Sequence, residues 1–321
     1  MKTIILGPPG TGKTTTLLDL VDEFIQQGVR PKQIGYFSFT KKAATEAANR
    51  AAEKFGLDIE NDLSNFRTLH SLAFRNLGMT KEKMMKIEDY KEFGQKCGIP
   101  IKTANYSSED GTFNSDNEYL TIINTARVKR LDLLEYYDSR KNILDIERST
   151  LFLLAEELQK FKKEKGLKDF TDLLEDFIEK SIPSSLEVLF IDEAQDLSLI
   201  QWEMVRHLWK HAKKTYIAGD DDQAIFKWAG ADVDHFIALK EEVNDIKILD
   251  QSYRIPGGPI HELSQKIINK VQNRFQKEYK PRDEIGLLKR YSDITQVDMS
   301  KGNWLVLSSA NYFLDDAKDL C

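Results

Sequence analysis

The run Gly7-Pro8-Pro9-Gly10-Thr11-Gly12-Lys13-Thr14 constrains this chain more than any other stretch. It follows a short apolar segment, Ile4-Ile5-Leu6, and leads into a helix-like segment over residues 15–27. Strand, glycine-rich loop and helix in that order give G-x-x-x-x-G-K-[ST] a physical meaning. The glycines let backbone N–H groups turn inward as an anion nest, and the helix N-terminus adds the positive end of its dipole. Lys13 is then expected to reach the β- and γ-phosphates of a nucleoside triphosphate, and the Thr14 hydroxyl to ligate Mg2+, with Thr15 beside them. An ordinary Gly/Pro turn ahead of a helix leaves the four fixed positions unexplained.

A second acidic group must complete such a site, because a phosphate-binding loop alone neither holds the metal nor positions water. Leu189-Phe190-Ile191-Asp192-Glu193-Ala194-Gln195-Asp196 supplies it. Asp192 closes an apolar strand and is the candidate metal ligand. Glu193, the next residue, is the candidate general base. The competing use of two acids here is as N-terminal charges on a helix starting near Ala194.

Strand and helix alternate through the first eighty residues. Strands are expected at 34–39 and 66–69, and helices at 41–55, where Thr40 stands as N-cap, and at 71–77. The pattern changes over 81–180, where Lys-rich helical segments (80–97, 118–137, 146–165) surround a polar loop at 107–116. Strands return at 188–191, 215–218 and 246–249, then a helix at 260–271, a strand at 304–307 and a helix at 312–320. Alternation of this kind predicts a parallel sheet with helices on both faces.

At 321 residues, with 41% hydrophobic and 31% charged residues, the chain has material for a sizeable core and more than one domain. Its net charge of −6 announces no global basic field, which leaves a local basic groove as the way to hold nucleic acid. Cys97 and Cys321 are too far apart to suggest a disulfide framework or a metal knuckle. No apolar run approaches the ~18 residues of a membrane helix. A cytosolic protein with no membrane partner is expected.

Beyond the acidic box, Gly219-Asp220-Asp221-Asp222-Gln223-Ala224-Ile225-Phe226-Lys227-Trp228-Ala229-Gly230 follows at close spacing. Together the two resemble motifs II and III of UvrD/Rep-type superfamily 1 DNA helicases. Phe39-Thr40-Lys41-Lys42-Ala43-Ala44 resembles that family's motif Ia, Thr68-Leu69-His70-Ser71 its motif Ib, and Gln251-Ser252-Tyr253-Arg254 its motif IV. Phe170-Thr171-Asp172-Leu173-Leu174 matches a stretch the family carries ahead of motif II.

The resemblance implies an α/β fold: a RecA-like P-loop NTPase domain (1–80 and 181–255), a helical insertion (81–180) and an incomplete beginning of a second RecA-like domain (256–321). It implies ATP and Mg2+ as cofactors. Gln223 would sense the γ-phosphate and Arg254 would act as an arginine finger, joining Lys13 and Glu193 as catalytic residues. Tyr253 would stack on the adenine.

Single-stranded DNA is the implied partner. Phe39, Phe226 and Trp228 would be stacking platforms, with Thr40, Lys42, Thr68 and His70 on phosphates or sugars. The chain departs from the pattern in three places. Only six residues precede the phosphate loop, where relatives carry an adenine-reading glutamine; Ala229 stands where many have arginine; and motifs V and VI are not found. The resulting expectation is an ATP-dependent 3′ to 5′ helicase present as an N-terminal portion that needs a complementing C-terminal half. The alternative is a nucleotide-dependent single-strand-binding module without efficient turnover.

Overall fold

The computed structural model describes residues 1–180, 185–308 and 314. Its centre is six parallel strands in the order β3-β2-β6-β7-β1-β8. The elements run β1 (Lys2–Leu6), α1 (Lys13–Gln26), β2 (Ile34–Ser38), α2 (Lys41–Phe55), β3 (Phe66–Arg67), α3 (Leu69–Asn76), α4 (Ile87–Cys97), β4 (Ala104–Tyr106), β5 (Phe113–Ser115), α5 (Glu118–Val128), α6 (Leu133–Asp138), α7 (Arg148–Lys165) and α8 (Phe170–Glu179). They continue with β6 (Val188–Asp192), α9 (Leu199–Trp209), β7 (Lys214–Gly219), α10 (Val233–Ala238), β8 (Asp245–Ile248), β9 (Gln251–Gly257), α11 (Pro259–Ile268) and β10 (Lys280–Ile285).

Helices cover both faces of the sheet, so its inner strands read as near-continuous apolar runs. Alternate residues feed two cores. Ile4, Phe37, Leu189 and Ile191 point to a cluster shared with α3, α8 and α9. Ile5, Tyr36, Val188 and Phe190 point to a cluster with α1 and α2. On α2 it is Ala44, Ala47, Ala48 and Ala51 that are buried, and their small side chains let the helix lie close to the sheet. The α/β class and parallel sheet expected from the alternation are present.

Residues between α3 and α8 build a third cluster of their own, with Tyr90, Phe93, Leu120, Ile123, Leu154 and Phe161. Two details differ from the sequence reading. The polar stretch near 107–116 contains half of an antiparallel hairpin, β4 with β5. The helix expected over 118–137 is two helices, α5 and α6, parted at Arg130, whose φ of 52° no α-helix accommodates. α8, within the expected insertion, buries Leu173, Leu174 and Phe177 in the sheet's own cluster.

Downstream of the sheet, β9 and β10 form a parallel pair with α11 between them. The strand expected at 304–307 is not formed, and Leu305 and Leu307 stand exposed; among the described residues no strand pairs with this segment. The helix expected at 312–320 lies outside the described residues, Leu314 apart. Among the described residues no helix is long and apolar enough to cross a membrane.

Candidate functional site

Parallel strands bring their C-terminal ends to one edge, and that is where open α/β sheets carry ligands. Leu6 is level with Gly219, and Ser38 with Asp192, so the loops after β1, β2, β6 and β7 converge. The loop after β1 ends at Gly12, which N-caps α1 at φ 84° with no side-chain cap, leaving the first-turn amides of a 14-residue helix to an anion. Gly10 has φ 76°, and a Cβ there would strike the Cβ of Arg254. The Thr11 hydroxyl donates to the Pro8 carbonyl at 2.9 Å and tightens the loop.

A cleft of about 290 Å3 opens over this loop. Lys13, Thr14, Thr15, Asp192, Glu193, Gln223 and Arg254 all line it, together with Pro9, Gly10, Thr11 and Gly12. The Lys13 ammonium donates to the Gly7 carbonyl at 2.8 Å. Gly7 and Pro8 are not in the cleft lining; the Gly7 N–H donates to the Gly219 carbonyl at 3.3 Å. Tyr253 is held by its backbone N–H, which donates to the Gly10 carbonyl at 2.8 Å, while its ring stands exposed outside the cleft lining.

Asp192 is buried at the end of β6. Its Oδ2 accepts from the Thr14 hydroxyl at 2.9 Å and from the Tyr36 hydroxyl at 2.7 Å. Burial, with Glu193 alongside, holds its carboxyl above the usual range. One carboxylate and one hydroxyl at hydrogen-bond distance are the hard oxygen donors that Mg2+ uses when phosphates and water complete its shell. Among the described residues no group of three or more His, Cys, Asp or Glu is arranged to hold a metal ion. Thr14 and Asp192 would hold it.

Glu193 sits in the left-handed region, at φ 51°, a strained conformation for a side-chain-bearing residue. The Gln195 amide fixes it: Nε2 donates to Glu193 Oε2 and to Asp196 Oδ2, both at 3.0 Å, while Oε1 accepts the Asp220 N–H at 3.0 Å. Burial beside Glu193 pushes the Asp196 carboxyl up to about 7. Gln223 donates through Nε2 to Asp220 Oδ2 at 2.6 Å. Behind it, the buried Lys277 ammonium meets Asp220 Oδ1 at 2.7 Å, Asp222 Oδ2 at 3.1 Å and the Asp221 carboxylate.

Several of these partners were not singled out from the sequence: Arg50 and Glu46 on the cleft wall, Tyr36 under Asp192, Gln195, Asp196 and Lys277. Arg50, on α2, donates to the Thr15 hydroxyl at 3.2 Å and adds a third cation, with Lys13 and Arg254, to the cleft. Its place two turns beyond Lys42 on the same helix was the available signal.

The residues expected on the DNA side gather around the ends of β2 and β3. Trp228 is 63% exposed, on a short turn after β7, with Phe226 at a ring separation of 6.3 Å. Phe39 is only 6% exposed and lies beneath Phe226 at 5.0 Å. It belongs to the core cluster here and presents no open stacking face. Thr40 and Thr68 cap α2 and α3, each hydroxyl accepting an amide N–H at 3.1 and 3.2 Å. Each keeps its own hydrogen to donate, at a helix N-terminus that favours anions. Lys42 is exposed. His70 is half-buried under Gly111 of the β4–β5 loop, and burial lowers its pKa to about 4, so it is neutral.

Comparison with known proteins agrees with this geometry. The family model described as UvrD/REP helicase N-terminal domain matches residues 1–244. The chain is 24% identical over 286 residues to "ATP-dependent DNA helicase Rep" of Buchnera aphidicola, covering 85% of this chain and 42% of that protein. It is 30% identical over 302 residues to a "Probable DNA helicase II homolog" of Rickettsia conorii, covering 85% and 43%. It is 25% identical over 288 residues to "ATP-dependent DNA helicase PcrA" of Leuconostoc citreum, covering 85% and 38%. The chain thus spans less than half the length of these relatives. With its phosphate-binding loop, acidic box and parallel sheet in the family's arrangement, the chain belongs to the UvrD/REP helicase family.

Proposed function

We propose that this chain binds Mg2+-ATP in the cleft over residues 7–15 and hydrolyses it in response to single-stranded DNA. The observation that carries this reading is the convergence of Lys13, Thr14, Asp192, Glu193, Gln223 and Arg254 on one cleft. In that reading Lys13, Arg50 and Arg254 neutralise phosphate charge, and Gln223 meets the γ-phosphate. Glu193 takes a proton from the attacking water. When bound, Mg2+ screens the β- and γ-phosphate oxygens. Trp228 and Phe226 offer rings to the bases, and Thr40, Lys42, Thr68 and His70 offer donors to the backbone.

Relatives named as ATP-dependent DNA helicases support DNA unwinding as the purpose of this turnover; the 3′ to 5′ direction belongs to our reading through the resemblance to UvrD/Rep-type helicases. The chain spans 38–43% of the three relatives above; in our reading unwinding is a joint activity with a complementing C-terminal half, as the resemblance to UvrD/Rep-type helicases implies. The proposed domain division is a RecA-like nucleotide domain (1–80 and 181–255), an insertion (81–180) and the start of a second RecA-like domain (256–321).

Steady-state ATP hydrolysis with and without oligo-dT tests the reading. Turnover stimulated by the strand and abolished by Lys13→Ala and Glu193→Gln is the expected result. Turnover that survives both substitutions would refute it. Negligible turnover with nucleotide-sensitive strand binding would favour the second reading, a nucleotide-dependent single-strand-binding module.

A further inference from the structure

Residues 8–11 make a tight turn inside the phosphate loop. The Thr11 N–H donates to the Pro8 carbonyl at 3.3 Å, and Gly10 has φ 76°. Proline at the second position and a positive φ at the third are the marks of a type II turn. A type I turn differs from it by a half-rotation of the central peptide, which here joins Pro9 to Gly10. In a trans peptide the carbonyl and the N–H point opposite ways. Whichever side the Pro9 carbonyl faces, the Gly10 N–H faces the other.

Two hydroxyls hold that carbonyl. Ser252 Oγ donates to it at 2.9 Å and the Tyr279 hydroxyl donates to it at 2.9 Å, one for each lone pair. Ser252 is fully buried in β9, where its Oγ also accepts the N–H of Arg254 at 3.2 Å and of Ile255 at 3.0 Å. Tyr279 stands just ahead of β10, its ring 5.3 Å from that of His261. Burial raises its hydroxyl above the ordinary value, so it keeps the hydrogen it donates. The Gly10 carbonyl is taken up by β9 as well, through the Tyr253 N–H at 2.8 Å. By contrast, the Gly10 N–H has no hydrogen-bond partner among the described residues, and Gly10 lines the nucleotide cleft.

We propose that Ser252 and Tyr279 are positioning residues for phosphate recognition: their hydroxyls hold the Pro9 carbonyl outside the anion nest and so aim the Gly10 N–H at a nucleotide phosphate. Turned the other way, the peptide would set the negative end of its dipole against the phosphates. The inference rests on the nucleotide reading above. It adds that a tyrosine 270 residues from Pro9 takes part in binding phosphate without touching it. Backbone amides of such a loop cradle the α- and β-phosphates, which ATP and ADP share. Loss of this clamp therefore weakens both nucleotides alike, unlike loss of a γ-phosphate sensor.

The Pro9–Gly10 peptide can be watched directly by NMR. The sequence contains two Pro–Gly peptides, Pro9–Gly10 and Pro256–Gly257. Protein labelled with 13C-carbonyl proline and 15N-glycine thus gives two correlated signals, and Pro256→Ala removes one of them. In the unmodified chain the Gly10 amide proton should move downfield when Mg2+-ADP is added, as an amide does on donating to a charged oxygen. Tyr279→Phe with Ser252→Ala should at least halve that movement. Calorimetric affinities for Mg2+-ATP and Mg2+-ADP should fall by one common factor, about threefold for Tyr279→Phe and about tenfold for the pair. Oligo-dT affinity without nucleotide should stay within about twofold, since the clamp faces the phosphate loop alone.

A full Gly10 shift in the folded double variant, or an affinity loss confined to ATP, overturns the clamp. A parallel loss of oligo-dT affinity marks general damage to the fold and overturns it too. Unmodified protein that binds Mg2+-ADP while its Gly10 signal stays still overturns the clamp and leaves the nucleotide site standing. Protein that binds nucleotide no better than Lys13→Ala overturns the functional reading, and the clamp with it. Thermal unfolding identifies a double variant that has not folded; Tyr279→Phe, which removes one oxygen and keeps the ring, then decides alone.

Discussion

The Tyr36 hydroxyl, rising from β2, donates to the same Asp192 oxygen that accepts from Thr14, at 2.7 Å. Tyr36 lies fully buried between β3 and β6, its ring stacked on Phe66 at 5.2 Å and on Phe190 at 6.2 Å. A strand residue of the core thus sets the direction of a candidate metal ligand. Removing such an outer partner typically costs 10–100-fold in metal affinity. Tyr36→Phe keeps the ring and deletes the bond. It should raise the Mg2+ concentration needed for half-maximal nucleotide binding by about tenfold, with a stability loss of about 1 kcal/mol. Mg2+ titrations of nucleotide affinity, paired with denaturant melts, check this.

Asp196 carries a pH signature. Burial beside Glu193 lifts its carboxyl to about 7, while the Gln195 amide and Lys13 act the other way. Between about pH 4 and 7 the folded protein holds a proton there that the unfolded chain has released. The contribution of this group is therefore fully present below its unfolded pKa and is lost as pH rises through about 7. Asp196→Asn cannot ionise. It should be more stable than the unmodified chain by about 1–3 kcal/mol at pH ~8, with the difference vanishing near pH ~4. Denaturant midpoints across that range decide, and a pH-independent difference would contradict the assignment.

Trp228 and Phe39 should separate under the same substitution. Trp228 projects into solvent, so Trp228→Ala should weaken oligo-dT binding by about 1–3 kcal/mol with little change in stability. Phe39 is packed under Phe226, and Phe39→Ala should destabilise the fold by about 3–5 kcal/mol. Fluorescence anisotropy and thermal melts on both variants read the two effects. Equal losses of strand affinity with intact stability would put Phe39 on the surface when the strand is bound.

Much of this was legible in the sequence because the decisive signals are local. Ile4-Ile5-Leu6 and Val188-Leu189-Phe190-Ile191 are continuous apolar runs, as strands buried on both faces must be. The phosphate loop needs only its own glycines. The three-residue strands β4 and β5 (ANY, FNS) carry no usable period, and Arg130 breaks a helix without a glycine to announce it. The site divides in the same way. Lys13, Asp192 and Glu193 are placed by their own loops, whereas Arg50, Tyr36 and Lys277 act through tertiary contacts. Lys277 lies 57 residues from the Asp220 it meets, with nothing in its immediate neighbours to mark it.

Lys277 carries the last expectation. Its ammonium has no solvent exposure and faces the carboxylates of Asp220, Asp221 and Asp222, with Arg274 donating to Asp222 at 2.8 Å through Nε. Two cations against three acids leave one net negative charge, and losing either cation leaves two. Lys277→Met fills similar space and strands buried negative charge, a change that costs about 3–5 kcal/mol when one partner of a buried pair is removed. Asp220 would also lose the ion that fixes Oδ1 while its Oδ2 holds Gln223. Lys277→Met should therefore lower the denaturant midpoint and, under conditions where it remains folded, weaken discrimination between ATP and ADP, the task that falls to a γ-phosphate sensor. Lys277→Met/Asp222→Asn should recover part of the stability, because it removes one of the stranded charges. Calorimetric titration with the two nucleotides reads the first effect and melts read the second; a double variant no more stable than Lys277→Met would show that packing, not charge, carries the cost.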